Sequence, residues 1–163
     1  IRLGSAVFPK GTCGTQLDAF AREAMWKCGI NYLHGTGHGV GQFMSVHEAI
    51  DLHQFRMQWR PTPLLPGMTI TDEPGIYIEG SHGVRHENTM LVVFHSDGIT
   101  FGPYYSFEQL TLCPILTEPI LVDMLTEEEL QWFNQYQQTV YERLAPRLDE
   151  EHRVWLEEVT KPL

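Results

Sequence analysis

The sequence predicts an α+β fold. Three observations carry that expectation: an amphipathic helical stretch near the start, a central region of short extended segments punctuated by Gly and Pro, and two helical stretches at the end, with no regular βαβ alternation. The chain has 163 residues, 42% of them hydrophobic and 11% aromatic. That is enough for one compact domain with a real core and too little for two comfortable ones.

Residues 15–28 read as the first helix. Leu17, Phe20, Ala21, Ala24, Met25 and Cys28 recur at helical spacing. Thr15 is the expected N-cap, and Gly29 stands where a left-handed C-terminal residue belongs. Cys28 is expected as a small core residue on the apolar face. From 32 to 41, the glycines at 35, 37, 39 and 41 forbid a stable helix, since each costs about 1 kcal/mol relative to Ala. This segment should run extended, its backbone pressed close to something. Pro61, Pro63, Pro66 and Gly67 mark a loop. Residues 68–72 then alternate like a strand that Glu73-Pro74-Gly75 interrupts, 84–94 read as a second strand, and 110–115 as a third.

Thr126 and Glu129 form a T-x-x-E capping box, with Leu125 and Leu130 able to make the hydrophobic staple. They open a helix whose apolar stripe is Leu130, Phe133, Tyr136, Val140 and Leu144, with Pro146 just beyond. A short last helix is expected over 149–159, with Val154, Trp155 and Val159 facing inward. There is no internal repeat and no low-complexity tract.

The formal net charge is −10. Such a surface repels nucleic-acid phosphates and anionic lipid, so no nucleic acid and no membrane is expected as a partner. No apolar run approaches the roughly 18 residues of a membrane span. Cys13, Cys28 and Cys113 are widely spaced, odd in number and outside any CxxC or Cys/His zinc pattern, as expected for reduced thiols in a cytoplasmic protein. The opening Ile1-Arg2-Leu3-Gly4 has no signal-peptide character.

Three clusters can carry chemistry. The first is His34-Gly35-Thr36-Gly37-His38-Gly39-Val40-Gly41, followed by Val46-His47-Glu48; the second is Thr71-Asp72-Glu73-Pro74-Gly75; the third is Gly83-Val84-Arg85-His86-Glu87-Asn88. They set histidines and carboxylates on extended segments flanked by Gly and Pro. A hard divalent cation takes carboxylate oxygen, imidazole suits Mn, Co or Zn, and glycine lets ligands approach closely. Read singly, each signal is weak: a lone loop histidine is usually a surface residue, and Glu-Pro-Gly alone is a turn. His53, His82, His95 and His152 fit no cluster and are expected at the surface.

In combination, G-H-G-V-G, V-H-E, D-E-P-G and G-V-R-H-E-N, in that order, resemble the signature of the pita-bread metallopeptidases, and among them the aminopeptidase P (Xaa-Pro aminopeptidase) family most. The tail is similar to the longer members of that family at Leu110-Thr111-Leu112-Cys113-Pro114, at Trp155-Leu156 and at Thr160-Lys161-Pro162-Leu163. The resemblance runs from about Phe8 to the end. It implies a partial pita-bread (creatinase/aminopeptidase) fold, a mixed or antiparallel curved sheet with flanking helices. Residues 1–163 would be the C-terminal part of one catalytic domain, with 116–163 as its helical extension. Position by position, His38, Glu73 and Glu87 match the family's metal ligands, Glu87 being the one that bridges both ions. His47 matches the histidine that binds substrate and stabilises or shuttles a proton, and His34 a second active-site histidine. Arg85, two residues before Glu87, would share its strand face and orient the carboxylates, a substrate-side and supporting role; His86 would point away and be structural.

The implied activity is release of the N-terminal residue from peptides with proline at position 2, using two divalent ions, Mn²⁺ foremost and Co²⁺ or Zn²⁺ as alternatives. A prolidase-like dipeptidase and a non-catalytic pita-bread binding module stand as other readings; the H-G-T-G-H spacing and the tail argue against the first. The sequence also departs from the family. The two aspartates that complete its metal set have no counterpart, Asp18 being the only Asp before His38, and Ala49-Ile50 follow His47-Glu48 where relatives commonly have Gly-Pro. The expectation is therefore a fragment that is inactive by itself and binds one ion weakly or none, with uncovered apolar surface that favours a homo-oligomer.

Overall fold

The computed structural model describes residues 1–52 and 62–163, and the side chains of all of these except 49–52. His53 and Pro61, expected at the surface and in a loop, lie outside the described residues. The chain divides into two compact units, Arg2–Leu110 and Thr111–Leu163, the latter together with Ile1.

The first unit holds β1 (Phe8–Pro9), α1 (Gly14–Lys27), β2 (Gly37–Gly39), β3 (Glu48–Leu52), β4 (Thr69–Asp72), β5 (Gly75–Ile78), β6 (His82–Arg85), β7 (Asn88–Ser96) and β8 (Tyr104–Gln109). Among the described residues, six strands form one antiparallel sheet in the order β1-β8-β7-β4-β2-β3, and β5 and β6 pair as a separate ribbon. Leu3, Phe8, Leu17, Leu64, Ile70, Met90, Val92 and Tyr105 make the buried core, with Ala21, Met68 and Phe107 packed on it. Phe8 packs β1 onto its neighbour β8, its ring tilted against Phe107 at 5.1 Å and edge-on to Tyr105 at 6.3 Å.

Helix α1 begins one residue earlier than the sequence implies. Cys13, not Thr15, is the N-cap, its N–H donating to Gln16 Oε1 at 2.8 Å. Gly29 has the expected left-handed φ, 71°. The helix is also rotated away from the apolar stripe. Phe20 is 45% exposed and Cys28 is exposed rather than a core residue, while Gly14, Leu17, Asp18 and Arg22 are buried. A charged pair has taken the inward face because each charge finds its partner there.

Two strand assignments need correction. Residues 84–94 are not one strand: the chain leaves the β5–β6 ribbon at Arg85 and joins the six-stranded sheet at Asn88. The period-two argument that put Arg85 and Glu87 on one strand face fails at that crossover. The strand expected over 110–115 lies earlier, as β8, and 110–115 has no regular structure.

In the second unit, α2 (Glu127–Leu144) and α3 (Glu150–Val159) carry the fold, each preceded by one turn of 3₁₀ helix, Val122–Met124 and Ala145–Arg147. The capping box at Thr126 forms as expected, with Glu129 N–H donating to Thr126 Oγ1 at 3.2 Å and Thr126 N–H to Glu129 Oε2 at 2.9 Å. The segment 111–115 spends its backbone groups on α2 instead of on a sheet. Gln137 accepts from Ile115 N–H at 3.1 Å and donates to Ile115 O at 2.9 Å, and Tyr136 Oη lies 2.7 Å from Cys113 O. In α3, Asp149 is the N-cap, accepting from His152 N–H at 2.9 Å. Val154 and Trp155 do not face inward: they are 57% and 54% exposed, and Leu156 is the buried residue.

Candidate active site

The site is built where β2 and β4 run side by side, Gly39 opposite Ile70. Gly37 and Gly39 are buried on either side of His38. Beyond the end of β4, Glu73 N–H donates to Thr36 O at 2.7 Å, which brings Glu73 alongside β2. His38 Nε2 and Glu73 Oε1 are then 3.2 Å apart, both side chains largely covered. Thr71 fastens the pair. Its hydroxyl accepts from His38 N–H at 3.0 Å and donates to Glu73 Oε1 at 3.1 Å.

The arrangement is poised for a cation. His38 Nδ1 lies 2.9 Å from Gly39 O, and a carbonyl only accepts, so in the neutral ring the proton sits on Nδ1. Nε2 is left as a lone pair facing a carboxylate oxygen. Two electron-pair donors at that distance repel unless a proton or a metal ion sits on them, so the donor set fits a divalent metal. Arg85 pairs with the other oxygen, Glu73 Oε2, at 3.4 Å.

His47 returns to this point on a tight turn. Its ring centroid is 4.1 Å from that of His38, with its side chain exposed. The turn needs Gly41: a Cβ there would come 2.5 Å from Glu48 Oε2 and 2.8 Å from Ser45 Cβ. His34 lies beside the same cluster. Its Nδ1 donates to Gly35 O at 2.7 Å, so Nε2 accepts from the Tyr77 hydroxyl at 2.9 Å, and Tyr77 in turn accepts from Arg85 Nε–H at 3.0 Å. That hydrogen bond raises the Arg85 pKa further, so its charge is permanent.

Of the residues singled out in the sequence, the structure pairs His38 with Glu73, sets the His47 ring beside that of His38, and links Arg85 to Glu73 and, through Tyr77, to His34. Glu87 is exposed in the link between β6 and β7. Among the described residues, no three His, Cys, Asp or Glu side chains converge as a metal-holding group. His82, His86, His95 and His152 are exposed. The sequence gives no role to Tyr77 and names Thr71 only as a member of its cluster. Thr71 stands two residues before Glu73, where strand alternation turns both to one side; Tyr77 lies on β5, which no pattern in the sequence marks. Beside Glu73, Asp72 Oδ1 is buried with no hydrogen-bond partner among the described residues. Burial, with the Glu73 charge adjacent, pushes the Asp72 carboxyl up to about 6.

Residues 2–93 match metallopeptidase family M24, and residues 103–163 match the C-terminal region of peptidase M24. The chain is 41% identical over 167 residues to the probable Xaa-Pro aminopeptidase P of Coprinopsis cinerea, covering 100% of this chain and 27% of that protein. It is 42% identical over 165 residues to aminopeptidase P1 of Arabidopsis thaliana, covering 100% of this chain and 26% of that one. The crystal structure of the X-prolyl aminopeptidase of Caenorhabditis elegans, described as a cytosolic enzyme with a di-nuclear active site, matches with a TM-score of 0.87 at 37% identity, over 99% of this chain and 27% of that one. A dipeptidase of Pyrococcus horikoshii matches with a TM-score of 0.51 at 31% identity, over 68% of this chain and 27% of its own. The chain thus spans about a quarter of the length of the relatives it matches, 26–27%.

Proposed function

The chain belongs to metallopeptidase family M24, and from that premise we propose that it forms part of the catalytic domain of an aminopeptidase that removes the N-terminal residue from peptides with proline second. One observation carries the reading: His38 Nε2 and Glu73 Oε1 face each other at 3.2 Å, with the ring of His47 against that of His38. The likeness to relatives named Xaa-Pro aminopeptidase over the whole chain, against a dipeptidase match over 68% of it, supports aminopeptidase over dipeptidase.

On this reading His38, Glu73 and Glu87 hold part of a two-ion centre, with Mn²⁺ the ion the family resemblance implies and Co²⁺ or Zn²⁺ the alternatives that imidazole and carboxylate also suit. Bound metal would supply Lewis acidity and a water of lowered pKa. The remaining roles belong to this chain's side chains. Arg85 holds Glu73 Oε2, leaving Oε1 directed at His38. His47, exposed and with its ring against that of His38, is placed to hold or pass a proton at a ring nitrogen as the scissile amide nitrogen becomes an amine. His34, locked by Gly35 O and Tyr77, presents a fixed face to the substrate. The three candidate ligands carry only two carboxylates against the four positive charges of two ions, so this chain alone binds at most one ion weakly. Cytoplasmic location goes with the same reading; among the described residues no helix is long and apolar enough to cross a membrane.

The test is an assay of the full-length protein containing this chain, with Mn²⁺, on an Xaa-Pro-Pro peptide and an Xaa-Pro dipeptide. Release of the first residue from the longer peptide, lost on chelation and reduced roughly 100-fold or more by His47→Ala, is expected. Cleavage of the dipeptide alone would establish the dipeptidase instead. No cleavage of either, with two ions bound, would leave a binding module.

A further inference from the structure

Two charged residues remain that the site does not use, and they are the most deeply buried charges described. Asp18 and Arg22, one helical turn apart on α1, are both 0% exposed, with Arg22 Nε 2.6 Å from Asp18 Oδ2. Both reach the segment that leads into β2. Arg22 Nη1 donates to Tyr32 O at 2.5 Å and to Asn31 Oδ1 at 3.2 Å, and Nη2 donates to His34 O at 2.9 Å. The guanidinium also lies 3.8 Å from the Tyr32 ring centroid. Asp18 Oδ1 accepts from the Thr36 hydroxyl, which in turn accepts from Tyr32 Oη at 2.5 Å. Burial pushes the Tyr32 hydroxyl up to about 12, so it stays a donor at working pH. Thr36 O is the carbonyl that receives Glu73 N–H.

We infer that the Asp18–Arg22 pair is a positioning device for the active site: it clamps residues 31–36 from the helix side and so sets the placement of His34, His38 and Glu73. The inference rests on the proposed function for its kinetic consequence. The chemistry of the clamp requires arginine. Only a planar fork reaches a carboxylate and two main-chain carbonyls at once, and lysine keeps the charge while losing that geometry. A charged pair is costly to bury, and a hydrophobic pair of similar volume would hold α1 on the sheet equally well. What an apolar pair would not do is fix the carbonyls of Tyr32 and His34 in direction. A displacement of about 1 Å in a catalytic group costs about 100-fold in rate, which gives the clamp its effect.

The experiment uses the full-length protein with Arg22→Lys, Thr36→Val and Thr36→Ser. Folding is followed by circular dichroism, hydrogen exchange by mass spectrometry over 31–38 and 70–74, and kcat and KM on an Xaa-Pro-Pro peptide. The expected result is an intact fold, exchange at least tenfold faster in those two stretches only, kcat down at least tenfold and KM within about threefold, with Thr36→Ser restoring both readouts. Should Arg22→Lys not fold, the Thr36 pair decides, because valine keeps the volume and serine keeps the hydroxyl. Exchange and kcat within twofold of wild type in folded Thr36→Val would overturn the inference. So would faster exchange spread over the whole chain, with kcat falling only as the folded fraction falls. If the wild-type protein shows no turnover, the proposed function has failed, and the clamp is then judged by exchange alone: a local change supports it and no change overturns it.

Discussion

Helices α1 and α2 each bury a polar side chain that fastens a neighbouring extended segment by its backbone, but they use different chemistry. On α2 the fastener is the neutral amide of Gln137, which takes Ile115 N–H, Ile115 O and Val159 O at 3.1, 2.9 and 3.1 Å. On α1 it is the guanidinium of Arg22 held by Asp18. A neutral amide costs little to bury once its three bonds are made. A charged pair costs more and becomes a liability if one partner is lost. The expensive fastener lies in the unit that carries the candidate site, and the inexpensive one in a unit where segment 111–115 has only to be packed. Shifts caused by burial are found in the first unit, beside the hydrogen-bonded surface shifts of Glu23 and Arg85. Asp72 and Tyr32 are pushed far from their ordinary values by burial in the first unit, whereas the shifted groups of the second, Asp149 and Lys161, are held by hydrogen bonds at the surface.

This contrast can be broken at four points. The largest effect is expected from Arg22→Met, which leaves Asp18 buried without its cation; chemical denaturation of the chain should show a loss of about 3–5 kcal/mol. A loss under 1 kcal/mol would mean the charged fastener is no more critical than the neutral one.

Asp72→Asn should stabilise the metal-free chain, and only above acid pH. The folded Asp72 carboxyl, at about 6, lies above its ordinary 3.8, so the native state holds the proton more tightly than the unfolded one. That advantage is complete below pH 3.8 and is lost as pH rises through about 6. The asparagine variant should therefore gain on the order of 2–3 kcal/mol at pH 8 and almost nothing at pH 3.5, read as the difference in denaturation midpoints. An equal gain at both pH values would remove the charge from the explanation.

Gln137→Leu should cost about 1–3 kcal/mol by leaving the Ile115 and Val159 groups unpaired, with no pH dependence between 4 and 8. Thr126→Ala should cost about 1 kcal/mol through loss of the helix cap. If the Gln137 loss instead exceeded that of Arg22→Met, the assignment of the critical fastener to α1 would be reversed.

Much of the helical structure was legible in the residues. The Thr126–Glu129 capping box and the Gly29 stop act through neighbours three or four positions away, and such signals survive in any fold. The candidate residues His38, His47 and Glu73 were legible only through the ordered combination of their motifs, since each motif read singly is weak. Less legible was anything that depended on which face of an element meets another. The stripe of α1 pointed to Phe20 and Cys28, and the final helix to Val154 and Trp155, yet all four are exposed. Periodicity counts apolar residues, and it cannot count an Asp18–Arg22 pair that becomes buried because each member supplies what the other needs. The strand expected over 84–94 failed for a similar reason: nothing local marks the point where a chain leaves one sheet and enters another.

By itself, then, the sequence determined the α+β class, the capped helix that opens at Thr126 and the extended glycine-rich segment, because each is written in local sterics and hydrogen bonding. Tertiary structure alone decided that His38 Nε2 meets Glu73 Oε1 at 3.2 Å, that Thr71 and Tyr77 hold the flanking groups, and that α1 turns a charged pair inward. Those outcomes depend on residues up to 43 positions apart, as His34 and Tyr77 are, and such pairings exist only once the strands have been laid beside one another.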